Sequence, residues 1–252
     1  MSTILKYPFL VLAISFVALW FVANFGALLT QRRPLRDELR DDFGVVQAAS
    51  LTLLGLLIGF TFSMAINRYD LRKTYEEAEA NAIGTEYVRA DLLPAADGAK
   101  VRELLKAYLD QRVLSYITRD VQQLRQIDGR TAQLQNELWF AVQAPASAHP
   151  TPVVALAVSG MNDVLNSQGY TQAAYWNRIP AAAWGLVATI AVCCNLLIGY
   201  GARRTSALLF VVLPLAISIS FFLIADIDSP RGGLIRVLPQ NLMSLSQSLQ
   251  AH

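Results

Sequence analysis

Four long apolar runs constrain this chain more than any other feature. They cover residues 7–29, 45–66, 179–200 and 207–225. Each matches the roughly 20 residues that a helix needs to cross the hydrocarbon core of a bilayer. The first run has no small-residue cleavage site before the arginines that follow it, which indicates a retained anchor rather than a secretory signal. The sequence therefore predicts a multi-pass membrane protein with four transmembrane helices.

The polar region between the second and third runs is predicted to be helical. Apolar residues spaced by three and four follow Asp97 and predict a helix that continues to about residue 127 and stops near Gly129. Two further helices are predicted over residues 131–143 and 153–168, with a proline-rich loop between them and Gly169 at the second helix end. No alternating strand pattern of useful length occurs, so the predicted fold class is all-α.

These patterns divide the chain into four segments. We expect transmembrane helices 1 and 2 over residues 1–66 and a helical extramembrane domain, continuous with the second helix, over residues 67–178. Transmembrane helices 3 and 4 should follow over residues 179–225, with a C-terminal tail over residues 226–252. The junction after residue 66 has no proline or glycine, so one helix should leave the bilayer and continue into water.

The second apolar run carries a stripe of small and polar residues on one helical face. It predicts either a packing seam, because glycines let a second backbone approach closely, or the lining of a pore shared by several subunits, because hydroxyl and carbonyl groups can replace part of an ion's hydration shell. Large apolar residues such as Leu56 and Phe60 surround the stripe and are more typical of lipid-facing or core positions than of a gate. The candidate pore-lining residues are Thr52, Gly55, Gly59, Ser63 and Asn67.

The polar continuation of that helix is dense in charge. A solvated surface is the usual role of such a segment. As an alternative, Asp70, Glu79 and Glu86 could set the electric field of an extramembrane vestibule, with Glu79 and Glu86 facing an aqueous path. Gly84, in mid-helix, favours close packing against another helix.

Acidic residues also lie at the end of the fourth run. A carboxylate is expensive at membrane depth and should reach water or a cation. The sequence favours an interfacial salt-bridge network, and an acidic vestibule that concentrates cations is the alternative. The residues of this membrane-interface network are Asp226, Asp228, Arg231 and Arg236.

Several classes of function find no support. The two histidines lie outside any metal-ligand spacing, and neither a glycine-rich phosphate loop nor a nucleophile elbow occurs. We therefore expect no enzyme activity, no metal and no cofactor. The net charge is only +2, and basic residues alternate with acidic ones, so nucleic acid is not an expected partner.

Three motifs resemble the bacterial bestrophin-like family of integral membrane proteins, which is remotely similar to bestrophin ion channels. They read NRYDLR at 67–72, EANAIGTEYVRADLLP at 79–94 and ADIDSPRGGLIRV at 225–237. The resemblance implies a homo-oligomer, a pentamer in bestrophins, whose second span lines the pore. It also implies a multi-pass protein of the cell inner membrane with a cytoplasmic helical domain. The acidic calcium clasp of animal bestrophins has no obvious counterpart here, so calcium gating is not implied.

The sequence thus predicts a homo-oligomeric ion channel in the lipid bilayer, with inorganic ions as its ligands and the second transmembrane helix around its axis. The alternative is a non-conducting membrane scaffold or sensor. In that case the small-residue stripe is a packing seam and the helical domain binds a partner protein.

Overall fold

The structure is a computed structural model that describes residues 7–32, 35–202 and 208–250, with the side chains of residues 37 and 209 excepted. Within those ranges the chain is helical and has no strand, which confirms the all-α prediction. The predicted start of the fourth span, residue 207, lies outside the described residues. The eight helices are α1 (Pro8–Arg32), α2 (Arg40–Arg89), α3 (Ala95–Ile117), α4 (Val121–Ala148), α5 (Pro152–Trp176), α6 (Ala181–Gly201), α7 (Leu209–Asp228) and α8 (Gln240–Gln250), and short 3-10 turns cover Asp37–Leu39 and Ala90–Leu92.

Four helical stretches are long and apolar enough to cross a membrane: Pro8–Arg32, Arg40–Leu92, Pro152–Gly201 and Phe210–Asp228. The second contains 53 residues, about 80 Å of helix, whereas a hydrocarbon core is about 30 Å thick. Only its apolar part, residues 45–66, can therefore lie in the bilayer. The four-span prediction is confirmed.

The chain forms two compact units, and the long helix α2 contributes to both. Unit 1 comprises Met1–Tyr69 and Arg178–Arg236, and unit 2 comprises Asp70–Asn177 and Val237–His252, as far as these ranges are described. The residues predicted as a C-terminal tail are therefore divided between the units, and the last of them form helix α8.

Unit 1 has an apolar core to which α1, α2, α6 and α7 all contribute. Leu19, Leu54, Ala191 and Ile224 are among its fully buried members. Two glycines bring α1 and α6 into close contact. A side chain at Gly26 would place its Cβ 2.9 Å from the backbone nitrogen of Tyr200, and one at Gly199 would lie 3.0 Å from that of Ala27. Such close approach strengthens dispersion contacts between spanning helices.

Unit 2 differs from the sequence prediction in where its helices break. The first predicted helix ends at Ile117, because Asp120 caps a new helix by accepting hydrogen bonds from the backbone N–H groups of Gln122 and Gln123 at 3.1 and 3.4 Å. Helix α4 then runs through Gly129 and Pro145. The predicted breaks at Gly129 and Pro145 are therefore wrong.

Helix α5 begins close to its predicted start. Thr151 caps it through its side-chain oxygen, which accepts from the N–H of Val154 at 3.3 Å, and Pro152 occupies the first helical position. The helix then passes Gly169 and ends at Trp176, so the predicted end at Gly169 is also wrong. Nothing lies within 4 Å of a Cβ added at Gly129 or Gly169, so these glycines cost only their intrinsic helix penalty.

Candidate functional site

The predicted pore-lining stripe lies on an exposed face of α2. All five of its residues are exposed. Among the described residues, a Cβ built on Gly55 or Gly59 would meet no atom within 4 Å, and the same holds for Gly44, earlier on the helix. No described segment of the same chain therefore packs against these glycines as a seam would require. Another copy, lipid or water is left as the partner of this face.

The opposite face of α2 is packed. Leu54 and Ala65 are buried in the core of unit 1, with exposed fractions of 2% and 0%. Thr61, also buried, donates a hydrogen bond to the backbone oxygen of Leu57 at 2.7 Å within the same helix. Because a helix repeats every 3.6 residues, these positions lie on the side away from Gly55 and Gly59. The spanning half of α2 thus has one anchored face and one free face.

Large apolar side chains border the free face. Leu56 and Phe60 are exposed by 54% and 61%. Both therefore lie outside the core of unit 1. Of the two expected positions, facing lipid or in the core, their exposure excludes the core.

Among the predicted vestibule charges, Asp70 is exposed, whereas Glu79 and Glu86 are fully buried in unit 2. An aqueous path beside Glu79 and Glu86 was the alternative to a solvated surface, and the polar residues Asn81 and Thr85 on the same segment could also face such a path. In the structure Asn81 and Thr85 are exposed and border a cavity of about 660 Å³ between α2 and α8. The two glutamates point into the helical packing instead.

Glu79 is held by four groups from α3 and α5. Arg112 donates from its Nε to Oε1 and from Nη2 to Oε2, the latter at 3.4 Å. The hydroxyls of Tyr116 and Thr171 donate to Oε2 at 3.2 and 3.1 Å. Burial, reinforced by the charge of Glu79, raises the pKa of Tyr116, which keeps its hydroxyl a donor. Paired in this way, Glu79 joins three helices and projects little net charge.

Glu76, one turn before Glu79, holds helix α8. Its carboxylate accepts from the side-chain amide of Asn241 at 2.6 Å and from the backbone N–H of Leu242 at 3.0 Å. Both donors lie in the first turn of α8, where unpaired N–H groups and the helix dipole favour a negative charge. A Cβ added at Gly84, further along α2, would lie 3.2 Å from the side chain of Leu245 of α8. The prediction that Gly84 permits close helix packing is therefore confirmed.

Glu86 has no such partners. It is fully buried, and neither of its carboxylate oxygens has a hydrogen-bond partner in the part of the chain that the structure describes. The pKa of Glu86 is raised to about 8, because burial and, to a smaller extent, the charge of Asp163 raise it more than the charge of Arg89 lowers it. Glu86 lies well beyond the apolar stretch that ends at residue 66, so this group is outside the spanning segment.

The acidic residues at the end of α7 bind backbone groups. Asp226 accepts from the N–H groups of Leu234 and Ile235, both at 2.8 Å, and a Cβ on Gly233 would lie 3.1 Å from its Oδ1. Asp228 accepts from the N–H of Ile179 at 3.2 Å. The two carboxylates thereby fix the turn after α7 and the entry to α6.

The predicted arginines of this network are less buried than the two aspartates. Arg231 and Arg236 are half-buried, and the Nε of Arg236 has no hydrogen-bond partner among the described residues. The role of the four residues as a membrane-interface network stays a prediction. No group of three or more histidine, cysteine or acidic residues that could hold a metal ion occurs in the described ranges.

Four spanning stretches, an open small-residue face on the second and a helical unit 2 define an all-helical integral membrane protein. The family model described as the bestrophin-like domain matches residues 10–242. The chain therefore belongs to the bestrophin-like family. No match was found among curated proteins.

Solved structures share the fold over nearly the whole length. A bacterial bestrophin homologue from Klebsiella pneumoniae superimposes with a TM-score of 0.65 at 14% identity, covering 96% of each chain. A substituted variant of a Klebsiella pneumoniae bestrophin homologue gives 0.64 at 12% identity, covering 97% of this chain and 98% of its own. A crystal structure described only as a membrane protein gives 0.66 at 12% identity, covering 95% and 97%.

Proposed function

We propose that this protein is a homo-oligomeric ion channel in which α2 of each subunit faces a common axis. The observation that carries the proposal is the free face of α2. No atom of the described residues lies within 4 Å of an added Cβ at Gly55 or Gly59, whereas the opposite face is anchored in the core of unit 1. Membership of the bestrophin-like family supports a channel rather than an enzyme.

The assembly must contain several copies because four spans in one chain offer little room for a pore. The pentamer, the location in the inner membrane and the cytoplasmic side for unit 2 are proposed from the resemblance to bestrophins. Around such an axis the stripe residues of each subunit would face water and ions.

The residues of the stripe suit this role chemically. The hydroxyl of Thr52 donates to the backbone oxygen of Ala48 at 3.0 Å, so its own oxygen lone pairs remain available to a passing cation. Ser63 and Asn67 add a hydroxyl and an amide, and Gly55 and Gly59 leave backbone carbonyl edges uncovered. Such groups replace part of an ion's hydration shell without binding it tightly.

Asp70 is the vestibule charge that the geometry supports best, since it is exposed where α2 leaves the apolar stretch. Repeated around an axis, it would form a ring of carboxylates that raises the local concentration of cations. Glu79, whose charge Arg112 neutralises, and the buried Glu86 would contribute to the helix packing of unit 2 and not to that ring.

Ion flux from purified protein in liposomes tests the proposal. Gly59→Leu fills the proposed path and should abolish flux or reduce it at least tenfold. Gly185→Leu is the matched control, because Gly185 lies in the spanning helix α6 and likewise has nothing within 4 Å of an added Cβ. It should leave flux unchanged. Equal flux from both variants would contradict the proposed path, and an intact oligomer that passes no ion would favour the scaffold.

A further inference from the structure

Three glutamates on the packed face of α2 are fully buried, and one of them, Glu86, has no hydrogen-bond partner among the described residues. Glu76 and Glu79 each accept at least two hydrogen bonds from neighbouring helices. Glu86 lies about two helical turns beyond Glu79 and accepts none from the described residues. An ionised carboxylate that is buried without partners carries a large desolvation penalty, so this position favours the neutral acid.

Helix α5 is shaped to receive the Glu86 side chain. A Cβ on Gly160 would collide with Oε2 of Glu86 and would lie 2.6 Å from Nη1 of Arg89. The carboxyl of Glu86 thus occupies the space that the missing side chain of Gly160 leaves on α5, and any larger residue there would displace the ends of the Glu86 and Arg89 side chains.

Few charges act on the carboxyl from the helices around it. Arg89 attracts it from α2, and Asp163, one turn after Gly160 on α5, repels it when ionised. On α3, Lys106 lies over the ring of Tyr87 at 5.7 Å, and Arg102 pairs with Asp91 of the turn that follows α2. Helix α8 carries no charged residue. Arg89 alone therefore opposes the combined effect of burial and Asp163.

We propose that Glu86 is a proton-operated switch in the packing of α2 against α5. While the carboxyl is neutral, it occupies the space at Gly160 and the two helices stay in contact. When the proton leaves, the bare carboxylate is repelled by Asp163 and draws water or Arg89 towards it, and the contact loosens. The switch does not depend on ion conduction, although α2 also carries the proposed lining.

The raised pKa of Glu86 determines how the stability of the protein changes with pH. The pKa of Glu86 rises from 4.5, the ordinary value of a solvated glutamate, to about 8 in the folded protein. Between those values the folded chain binds more protons than the unfolded chain, so stability falls as the pH rises. The contribution of Glu86 to the stability of the fold is fully present below about pH 4.5 and is lost as the pH rises through about 8.

Infrared spectroscopy of the full-length purified protein tests this directly. The wild type should show the carbonyl stretch of a protonated carboxylic acid near neutral pH, and this band should disappear with a midpoint near 8. About one pH unit below the midpoint, the neutral form of Glu86 should exceed the ionised form roughly tenfold. About one unit above it, the ionised form should exceed the neutral form by the same factor. Glu86→Gln should lack the band. Glu77→Gln, at an exposed position on the same helix, should keep it.

The melting temperature gives a second, independent measurement. In the wild type and Glu77→Gln it should fall as the pH rises from about 4.5 to about 8 and level off above that, and Glu86→Gln should lose that component. A wild type without a protonated acid titrating in this range would overturn the proposal even if Glu86→Gln failed to fold. A Glu86→Gln protein with the wild-type pH profile would overturn it as well. Because neither measurement involves ions, failure here is distinguishable from failure of the proposed channel.

Discussion

Arg112 of α3 and Glu79 of α2 form an ion pair that is buried within unit 2, with 3% and 0% of the two side chains exposed. Their positions are 33 residues apart in the chain. The hydroxyls of Tyr116 and Thr171 complete the set of donors around the carboxylate. This pair explains how α2, whose apolar stretch is followed by a polar half, can bury an acid in that polar half.

Removal of one partner from this pair should be costly. Arg112→Met leaves Glu79 buried and without its cation, and it should lower the free energy of unfolding by about 3–5 kcal/mol. Chemical denaturation of the purified protein in detergent would measure this loss.

The exposed pair of Arg130 and Glu137 provides the control for that measurement. Its atoms are 3.3 Å apart, with 46% and 47% of the side chains exposed. Arg130→Met should cost about 0–1 kcal/mol. Similar losses for Arg112→Met and Arg130→Met would show that the buried pair does not organise unit 2.

Glu76→Ala should release the start of helix α8. The change removes the acceptor for Asn241 and for the N–H of Leu242, which we expect to cost about 2 kcal/mol. Hydrogen exchange in residues 240–250 should then accelerate by roughly thirtyfold. Glu77→Ala, which changes an exposed neighbour, should leave that exchange unaltered. Unchanged protection in Glu76→Ala would mean that other contacts hold α8.

Asp70→Asn should lower the preference for cations if the protein conducts. Loss of a ring of exposed carboxylates reduces the local cation concentration, so the cation-to-anion permeability ratio should fall several-fold. The effect should be largest at low ionic strength, where screening is weakest. Asp128→Asn, at an exposed position of α4, is the control. Reversal potentials under salt gradients give the ratio, and an identical ratio in both variants would remove Asp70 from the vestibule.

The spanning helices were predictable because their signal is local. An apolar run of sufficient length determines a span whatever it packs against, and the predicted range 179–200 differs little from the observed α6, Ala181–Gly201. The breaks in unit 2 were harder to predict because glycine and proline are only weak local signals. Pro145 lies near the end of α4, where the N–H of His149 still bonds to its oxygen at 2.8 Å.

One break has a local sequence signal that apolar periodicity does not contain. Asp120 follows Thr118 and Arg119 and precedes Val121, a suitable position for an N-cap. Its side chain indeed caps α4. An N-cap at Asp120 predicts the end of the preceding helix correctly, whereas apolar spacing alone does not.

The buried glutamates were not predictable from charge pattern alone. Glu79 finds its cation on another helix, 33 residues later, and local sequence does not reveal that pairing. A partial signal does exist. Ile83, fully buried, lies between Glu79 and Glu86 at spacings of four and three, which places all three on one face. An apolar residue on the same face as acids indicates that the face is packed.

The central claim is that the free face of α2 meets water in the assembled protein. In a variant without native cysteines, Ser63→Cys should react rapidly with a membrane-impermeant thiol reagent when the oligomer is in liposomes. Thr189→Cys is the control, since Thr189 is an exposed hydroxyl residue of the spanning helix α6, and it should react at least tenfold more slowly. A protected cysteine at position 63, or equal rates at both positions, would contradict the account and identify the stripe as a contact with lipid or with another helix.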